Sequence, residues 1–232
     1  MDVYQLDILI PTARLAFAVE GERVEVLPEH RSPEAYVAYQ RMKAEHAVVG
    51  MTTFPNTVLL RGPRTLLIDP GLHLQNEPVL RALEARGLGA RDVDRVLLTH
   101  AHLDHAGACA DVGRPVAVHA RETEAEHWPA VAALLDDGRL TLLKGDEGEV
   151  APGVAWALTP GHTAGGVSYR VATAAGLAVI CGDTVGPLRR DFDEMTPPPE
   201  EGDVTELLST WRLIRSWEPA LIVPGHLPPF KP

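Results

Sequence analysis

The segment Leu98-Thr-His-Ala-His-Leu-Asp-His105 places three imidazoles and one carboxylate within six positions, directly after an apolar run. Histidine and aspartate are seldom fully buried without partners, so core packing does not account for this cluster. Zinc binds His nitrogen and Asp oxygen at about 2.0–2.2 Å, and a strand that opens into a loop lets successive donors turn towards such a point. The spacing predicts that His100 and His102 bind one ion. Asp104 and His105 are then predicted to bind a neighbouring ion.

Three later segments each place one further donor after an apolar strand and beside a glycine. They are Thr159-Pro-Gly-His162, Cys181-Gly-Asp183 and Val223-Pro-Gly-His226. Glycine permits the tight turns and close backbone approach that a metal pocket at strand ends requires. Each segment alone is typical of an ordinary turn or cap. Together with the first cluster they predict a single metal site.

Around these donors, short apolar runs alternate with amphipathic stretches and with turns rich in Gly and Pro. Alternation of strands and helices on both sides of the centre predicts two β-sheets faced by helices. Strands are predicted at Val3–Ile10, Ala16–Val19, Val24–Leu27, Thr57–Leu60, Thr65–Ile68, Val93–Thr99, Val116–His119, Leu140–Leu143, Val154–Leu158, Val167–Val171, Leu177–Cys181 and Ala220–Val223. The turn Arg61-Gly-Pro-Arg64 predicts that the strands on either side of it form a hairpin. Helices are predicted from Pro33 to about His46, at Leu74–Arg86, Leu103–Ala110 and Glu122–Leu135, and after the capping pair Asp203 and Glu206.

The ordered set of donors resembles the metallo-β-lactamase superfamily over about Asp69 to His226, and as a set it is highly specific. The resemblance implies an α/β fold, a four-layer αββα sandwich with the site at one edge of the two sheets. It also implies a division of the ligands between two metals. By that pattern the first metal is bound by His100, His102 and His162, the second by Asp104, His105 and His226, and both by a bridging Asp183. Asp69 matches the family's strand-end Asp and is expected behind the ligands.

Composition and length fit one globular domain. With 232 residues, we expect a single metallo-β-lactamase-like domain over residues 1–232, with residues 1–50 as a strand and helix extension of it. No apolar run approaches the roughly 20 residues of a membrane span. The opening stretch is typical of a strand rather than a signal peptide, and the two cysteines show no disulfide spacing. We therefore expect a cytoplasmic protein that does not bind membranes.

The charge balance disfavours nucleic acid as a partner. The net charge is −11 with His neutral, and Lys and Arg form no cluster beyond short pairs such as Arg189–Arg190. Proteins that track a phosphate backbone normally present a basic face. A small-molecule substrate is expected instead, and the oligomeric state stays open.

The predicted activity is hydrolysis. Two metal ions about 3.5–4 Å apart can share one water and lower its pKa from about 15.7 towards neutrality. We therefore expect a dinuclear hydrolase that uses a metal-bridging hydroxide on a small carboxylic ester, lactone or thioester. Two zinc ions are expected, with iron or manganese as the alternative metal. Asp104 is the expected catalytic residue, because it could accept the hydroxide's proton as well as bind metal.

Several family activities fit the sequence less well. A β-lactamase is disfavoured by the lack of an export signal, and glyoxalase II by the end of the chain six residues after His226. Homoserine-lactone hydrolases tend to place a Tyr shortly after the bridging Asp, where this chain has Asp183-Thr-Val-Gly186. The alternatives left open are a mononuclear iron persulfide dioxygenase, a phosphodiesterase acting on nucleotides or RNA, and a catalytically silent binding protein.

Three further expectations concern residues near the donors. The acidic, Pro-rich loop from Gly186 to Gly202 follows Asp183 and is predicted to form a wall of the substrate pocket. His119 ends a strand and is expected to be structural. His73 is expected at the rim of the site.

Overall fold

The computed structural model describes residues 2–20, 23–27, 41, 45, 48–72, 76–135, 137–186 and 188–232. The helix predicted from Pro33 to about His46 falls outside these ranges apart from two positions, and His73 also lies outside them. Among the described residues the strands are β1 (Gln5–Ile10), β2 (Ala13–Glu20), β3 (Arg23–Leu27), β4 (Val48–Phe54), β5 (Thr57–Arg61), β6 (Thr65–Ile68), β7 (Arg95–Leu97), β8 (Val116–His119), β9 (Leu140–Leu143), β10 (Glu147–Ala151), β11 (Val154–Leu158), β12 (Val167–Thr173), β13 (Gly176–Gly182) and β14 (Leu221–Pro224).

Short helices connect these strands. No helix within the described ranges has both the length and the apolar composition that a membrane crossing requires. The described helices are α1 (Asn76–Glu84), α2 (Leu103–Ala106), α3 (Cys109–Val112), α4 (Trp128–Ala132), α5 (Arg189–Glu194) and α6 (Val204–Ser216). Turns of 3-10 helix occur at Ala90–Asp92, Ala120–Glu124, Asp137–Arg139 and Pro199–Glu201.

Two large sheets form the centre of the molecule. The first has the strand order β1-β5-β6-β7-β8-β9, in which β5 and β6 form the predicted antiparallel hairpin and β6 to β9 run parallel. The second has the order β10-β11-β12-β13-β14 and is antiparallel except for the parallel pair β13 and β14. A third, smaller sheet has the order β3-β2-β4.

Alternation of side chains along the strands places apolar residues on both faces of each large sheet. In β13, Ile180 belongs to the core between the two sheets, whereas Val179 belongs to the core beneath the helices. The first sheet behaves in the same way: Leu60 packs between the sheets and Leu59 packs in the core that also contains Val79 of α1. Three apolar cores separate four layers, so the predicted αββα sandwich is confirmed.

The structure corrects several predicted elements. The helix predicted at Glu122–Leu135 is instead the 3-10 turn Ala120–Glu124 followed by α4, which begins only at Trp128. Pro129 explains the break, because proline is tolerated in the first turn of a helix but not in its interior. The helix predicted at Leu103–Ala110 is divided into α2 and α3.

Two strands and one helix were not predicted. Strand β10 alternates exposed and partly buried residues with little apolar content, as suits its place at the edge of the second sheet. Strand β4 belongs to the smaller sheet, and α5 lies within the loop predicted from Gly186 to Gly202. The predicted cap of α6 is confirmed, because the Asp203 side chain accepts a hydrogen bond from Glu206 N.

Hydrogen bonds join the two large sheets at one edge. Val167 N donates to Thr99 O at 2.8 Å, and the Tyr169 hydroxyl donates to Leu98 O at 2.8 Å. Strands β6, β7, β11, β13 and β14 all end at this edge. Asp69 follows β6, and the predicted donors follow the other four strands.

Candidate metal centre

The structure brings all seven predicted donors together in two groups. Within each group the ligand atoms lie within 4.8 Å of one another, and Asp183 belongs to both groups. We call them the first and the second donor group. The first consists of His100, His102, His162 and Asp183, and the second of Asp104, His105, Asp183 and His226.

In the first donor group, imidazole nitrogens face one another. His102 Nδ1 lies 3.0 Å from His100 Nε2 and 3.1 Å from His162 Nε2. His162 Nε2 is 3.7 Å from Asp183 Oδ2. A neutral imidazole has one N–H and one lone pair, so hydrogen bonding alone is a poor explanation for three nitrogens that meet at one place.

In the second donor group, imidazole nitrogens face carboxylate oxygens. His226 Nε2 lies 3.0 Å from Asp104 Oδ2 and 3.3 Å from Asp183 Oδ2. His105 Nε2 lies 3.2 Å from Asp183 Oδ1. The two oxygens of Asp183 therefore face different imidazoles.

Three buried side-chain atoms of these donors are left without hydrogen-bond partners: His105 Nε2, Asp183 Oδ1 and His226 Nδ1. The first two are close but not aligned for a hydrogen bond. Buried polar atoms in native structures are nearly always paired. A nitrogen and an oxygen of these types are the donors that zinc and similar cations take, so the residues present fit metal binding.

Behind the donors, a second layer of contacts fixes the rings. His105 Nδ1 is 3.0 Å from Asp69 Oδ2, and Asp69 also accepts from Thr99 N and from Thr99 Oγ1 at 2.8 and 2.7 Å. His100 Nδ1 lies 3.1 Å from Thr99 Oγ1. Such outer contacts hold the ring orientation and tautomer of a ligating histidine. Asp69 therefore has the supporting position expected from the sequence.

The two donor groups differ in the protonation that their surroundings favour. Burial lowers the pKa of His100 well below its ordinary value, and burial together with His162 lowers the pKa of His102 to about 4. Burial also acts to lower the pKa of His105, but the carboxylates of Asp183 and Asp69 outweigh it and raise that pKa well above its usual value.

The remaining ionisable groups of the second donor group are also charge-coupled. Burial opposes both shifts, yet the Asp183 and Asp104 carboxylates raise the pKa of His226 to about 8, and His105 and His226 lower the pKa of Asp183 well below its usual value. His100 and His102 are therefore neutral near pH 7, whereas His105 and His226 form ion pairs with the carboxylates.

Two glycines of the sequence motifs allow the backbone to approach the donors. A Cβ at Gly225 would collide with Asp183 Oδ1 and would lie 2.9 Å from His105 Cε1. Gly182 has a φ of +51°, in the left-handed region, and a Cβ there would collide with Thr99 Oγ1. These contacts explain why the segments before Asp183 and His226 contain glycine.

The structure also reveals two buried polar residues that the sequence pattern did not single out. Glu122 accepts from Ala101 N, and Asn56 donates to Pro224 O. Neither residue belongs to a sequence motif. Their burial distinguishes them from other polar residues, and burial is known only from the structure. The loop after Asp183 reaches the site through Glu201 O, which lies 3.0 Å from His162 Nδ1.

His119 has the structural role expected for it. It is buried, its Nε2 lies 3.0 Å from Gly145 O, and its ring packs against Trp156.

Comparisons with known proteins agree with this geometry. The family model described as the metallo-beta-lactamase superfamily matches residues 51–226. Metallo-beta-lactamase domain-containing protein 1 of Xenopus laevis is 29% identical over 178 residues, covering 76% of this chain and 72% of that protein. A hydroxyacylglutathione hydrolase of Dechloromonas aromatica (strain RCB) is 32% identical over 128 residues, covering 55% of this chain and 42% of that protein.

A solved structure extends the similarity to nearly the whole chain. It is an N-acyl homoserine lactone hydrolase with N-hexanoyl-L-homoserine bound at the catalytic metal centre, with a TM-score of 0.63 and 19% identity. The match covers 97% of this chain and 94% of that one, and at this identity it shows the fold alone. The chain belongs to the metallo-beta-lactamase superfamily. It is a metal-dependent hydrolase, and its clustered His and Asp residues could hold the metal cofactors that this family implies.

Proposed function

We propose that this protein is a dinuclear hydrolase that acts on a small carboxylic ester, lactone or thioester. The observation on which this rests is the place of Asp183 between the two donor groups. Its Oδ1 faces His105 at 3.2 Å, and its Oδ2 faces His226 at 3.3 Å and His162 at 3.7 Å. A carboxylate placed in this way is suited to bridge two cations.

We propose zinc as the metal at both positions. The donor set contains five imidazoles and two carboxylates, which are nitrogen and oxygen ligands of the kind zinc takes. Iron and manganese accept similar ligands, so metal analysis is needed to identify the ion. When bound, the two ions supply an activated water and polarise the substrate's carbonyl oxygen.

Within this centre, Asp104 is the proposed proton acceptor. Its side chain is 23% exposed, against 0% for His105, so a substrate can approach it more easily. Burial acts to raise the pKa of Asp104, but the hydrogen bond from His226 lowers it below the usual value. The carboxylate is therefore ionised near neutral pH, and its Oδ2 can accept a proton from the attacking water.

The choice of substrate class is supported by the similarity to hydroxyacylglutathione hydrolase, whose name describes a thioesterase. The chain spans less than half of that relative, 42%, so the activity is proposed rather than transferred. The net charge of −11 favours a small molecule over a nucleic acid.

We also propose that residues 1–232 form one domain, with residues 1–50 as an extension of it. The pairing of β1 with β5 and the bridge between Tyr4 and Thr173 support this, because they join the first residues to both large sheets. Cys109 and Cys181 are buried free thiols, which supports a reducing location such as the cytoplasm.

Metal analysis combined with a hydrolysis panel tests the proposal. We expect two zinc ions per chain and turnover of lactones or thioesters in preference to β-lactams and phosphodiesters. One iron per chain with oxygen-dependent turnover of a persulfide would overturn it. Asp104→Asn should reduce turnover with both metals retained, and Glu147→Gln is the matched control, because that carboxylate is 70% exposed and pairs with Arg170.

A further inference from the structure

We propose that Glu122 is a positioning residue that holds together the two loops supplying the histidines of the first donor group. The inference rests on the proposed dinuclear function, and it assigns to one residue the control of one of the two metal positions. Glu122 lies in the 3-10 turn Ala120–Glu124 and touches none of the proposed ligands through a hydrogen bond.

The carboxylate of Glu122 spans the two loops with one oxygen each. Oε2 accepts from Ala101 N at 2.8 Å, and Ala101 lies between His100 and His102. Oε1 accepts from Gly165 N at 2.9 Å, three residues after His162. The loop after β7 and the loop after β11 are therefore joined through a single side chain.

Burial makes this connection energetically important. Glu122 is 1% exposed, and an ionised carboxylate in such surroundings is costly unless its oxygens are hydrogen-bonded. Backbone N–H groups that donate to a charged carboxylate form stronger hydrogen bonds than neutral pairs do. Displacement of either loop would break one of these bonds, so Glu122 resists changes in the separation of the histidines.

A second contact extends from Glu122 to the same donor group. His127 Nε2 lies 3.7 Å from Glu122 Oε2, and the His127 ring packs edge-on against the ring of His102 with centroids 4.6 Å apart. Glu122 and His127 thus contact the outer side of the loops that hold the first donor group.

The second donor group has a separate connection of the same kind. Asn56 is buried, and its Nδ2 donates to Pro224 O and to Leu227 O, each at 2.7 Å, on either side of His226. Asn56 N also donates to Gly225 O at 2.7 Å. These bonds share no residue with those of Glu122. Substitution of Glu122 should therefore affect metal binding by the first donor group, and substitution of Asn56 should affect metal binding by the second.

Gly165 offers a way to disturb the connection while keeping the Glu122 side chain. A Cβ at Gly165 would lie 2.6 Å from Glu122 N and 2.7 Å from Glu122 Oε1, so alanine there must displace the backbone of Glu122 together with its carboxylate. Gly89 is the matched control, because its Cβ would meet only Asp92 Oδ2, at an ordinary 3.7 Å.

The experiment measures zinc affinity by chelator competition and records the absorption spectrum of the cobalt-substituted protein. In Glu122→Gln an amide NH2 replaces one acceptor oxygen and faces a backbone N–H. We expect the zinc affinity of one metal position to fall by about 10- to 100-fold and that of the other to stay unchanged. The cobalt spectrum of this variant should match that of His162→Asn, which lacks a donor of the first group, and not that of His226→Asn.

The other variants make the result specific. Gly165→Ala should reproduce the effect of Glu122→Gln, and Asn56→Ala should lower the zinc affinity of the second position instead. The control variant Gly89→Ala should bind both metals as the wild type does. If Glu122→Gln does not fold by circular dichroism, Gly165→Ala decides the question. Unchanged affinities in the folded Glu122→Gln protein, or equal loss at both positions, would overturn the inference. A wild type that binds only one metal would instead refute the dinuclear proposal.

Discussion

The two donor groups share Asp183 but differ in how their charges are balanced. In the first group Asp183 is the only carboxylate, and burial keeps His100 and His102 neutral near pH 7 through lowered pKa values. In the second group Asp104 adds another carboxylate, and the pKa of His226 is raised to about 8. The comparison teaches that the first group places the neutral rings of His100 and His102 beside one shared carboxylate, whereas the second group pairs its two imidazoles with two carboxylates.

The largest effect is expected from Asp183→Asn. This substitution removes the only negative charge of the first donor group but leaves Asp104 in the second. We expect loss of the metal at the first position, weaker binding at the second, and a fall in kcat/KM of at least about 100-fold. Zinc content by mass spectrometry and steady-state kinetics would measure both. Equal loss of zinc from the two positions would contradict the proposed difference in charge balance between the two donor groups.

Gly225→Ala should disturb the second donor group more than the first. The added Cβ would be directed at Asp183 Oδ1 and at the His105 ring, and not at the imidazoles of the first group. We expect roughly 10- to 100-fold weaker binding at one position, comparable to the loss of an outer contact. Chelator competition would measure it, with Gly89→Ala as control. Full retention of both affinities would contradict the close approach of these backbones.

Asp69→Asn should produce a smaller loss, of about tenfold in metal affinity, at the second position. The carboxylate supports His105 from behind and accepts two hydrogen bonds from Thr99, and an amide cannot make all of these contacts. Asp94→Asn is the matched control, because Asp94 also accepts a backbone hydrogen bond, from Thr65 N, but far from the donors. Equal metal affinities in the two variants would show that Asp69 does not support the ligand His105.

The smallest effect is expected away from the donors, at the ion pair between Asp7 and Arg86, whose side chains are 27% and 30% exposed. The hydrogen bond from Arg86 lowers the pKa of Asp7 below its ordinary value. The stabilisation is therefore present above about pH 4, the unfolded pKa, and is lost as the pH falls through the lower folded pKa.

Urea unfolding of the wild type and of Asp7→Asn would measure this contribution. We expect the wild type to be more stable by less than about 1 kcal/mol between pH 5 and pH 7, and the difference to shrink below pH 4. Metal affinity should be unchanged in this variant, which gives a baseline for the donor-group effects. A difference that grows as the pH falls would contradict the assigned direction.

The donors were predictable from the sequence because their type and spacing are unusual. Three imidazoles and a carboxylate directly after an apolar strand do not fit core packing. The later Gly-His and Gly-Asp turns indicated donors of the same site. The hairpin of β5 and β6 was equally clear, because Arg61-Gly-Pro-Arg64 separates two apolar runs. The four-layer architecture followed from the resemblance that these residues support.

The residues that hold the donors were not predictable in the same way. Asn56 lies 168 residues from Pro224, the carbonyl to which it donates, and no local pattern links the two. In the sequence Glu122 looks like any acidic residue at the start of a predicted helix, and only the structure shows that it is buried. Strand β10 was missed because an edge strand needs little apolar content. The substrate was not predictable from the donor residues, because they bind metal and do not specify the substrate.

The division of the chain between the two large sheets has a consequence for assembly. Among the described strands, those of the first sheet all come from residues 5–143, and those of the second all come from residues 147–224. The loop of Asp104 and His105 belongs to the former half, and Asp183 and His226 belong to the latter. Neither half of the polypeptide can build the reaction centre by itself. Hydrolytic activity therefore requires that the N-terminal and C-terminal halves dock in correct alignment. A chain cut between Leu143 and Glu147 would regain activity only when its two fragments recombine.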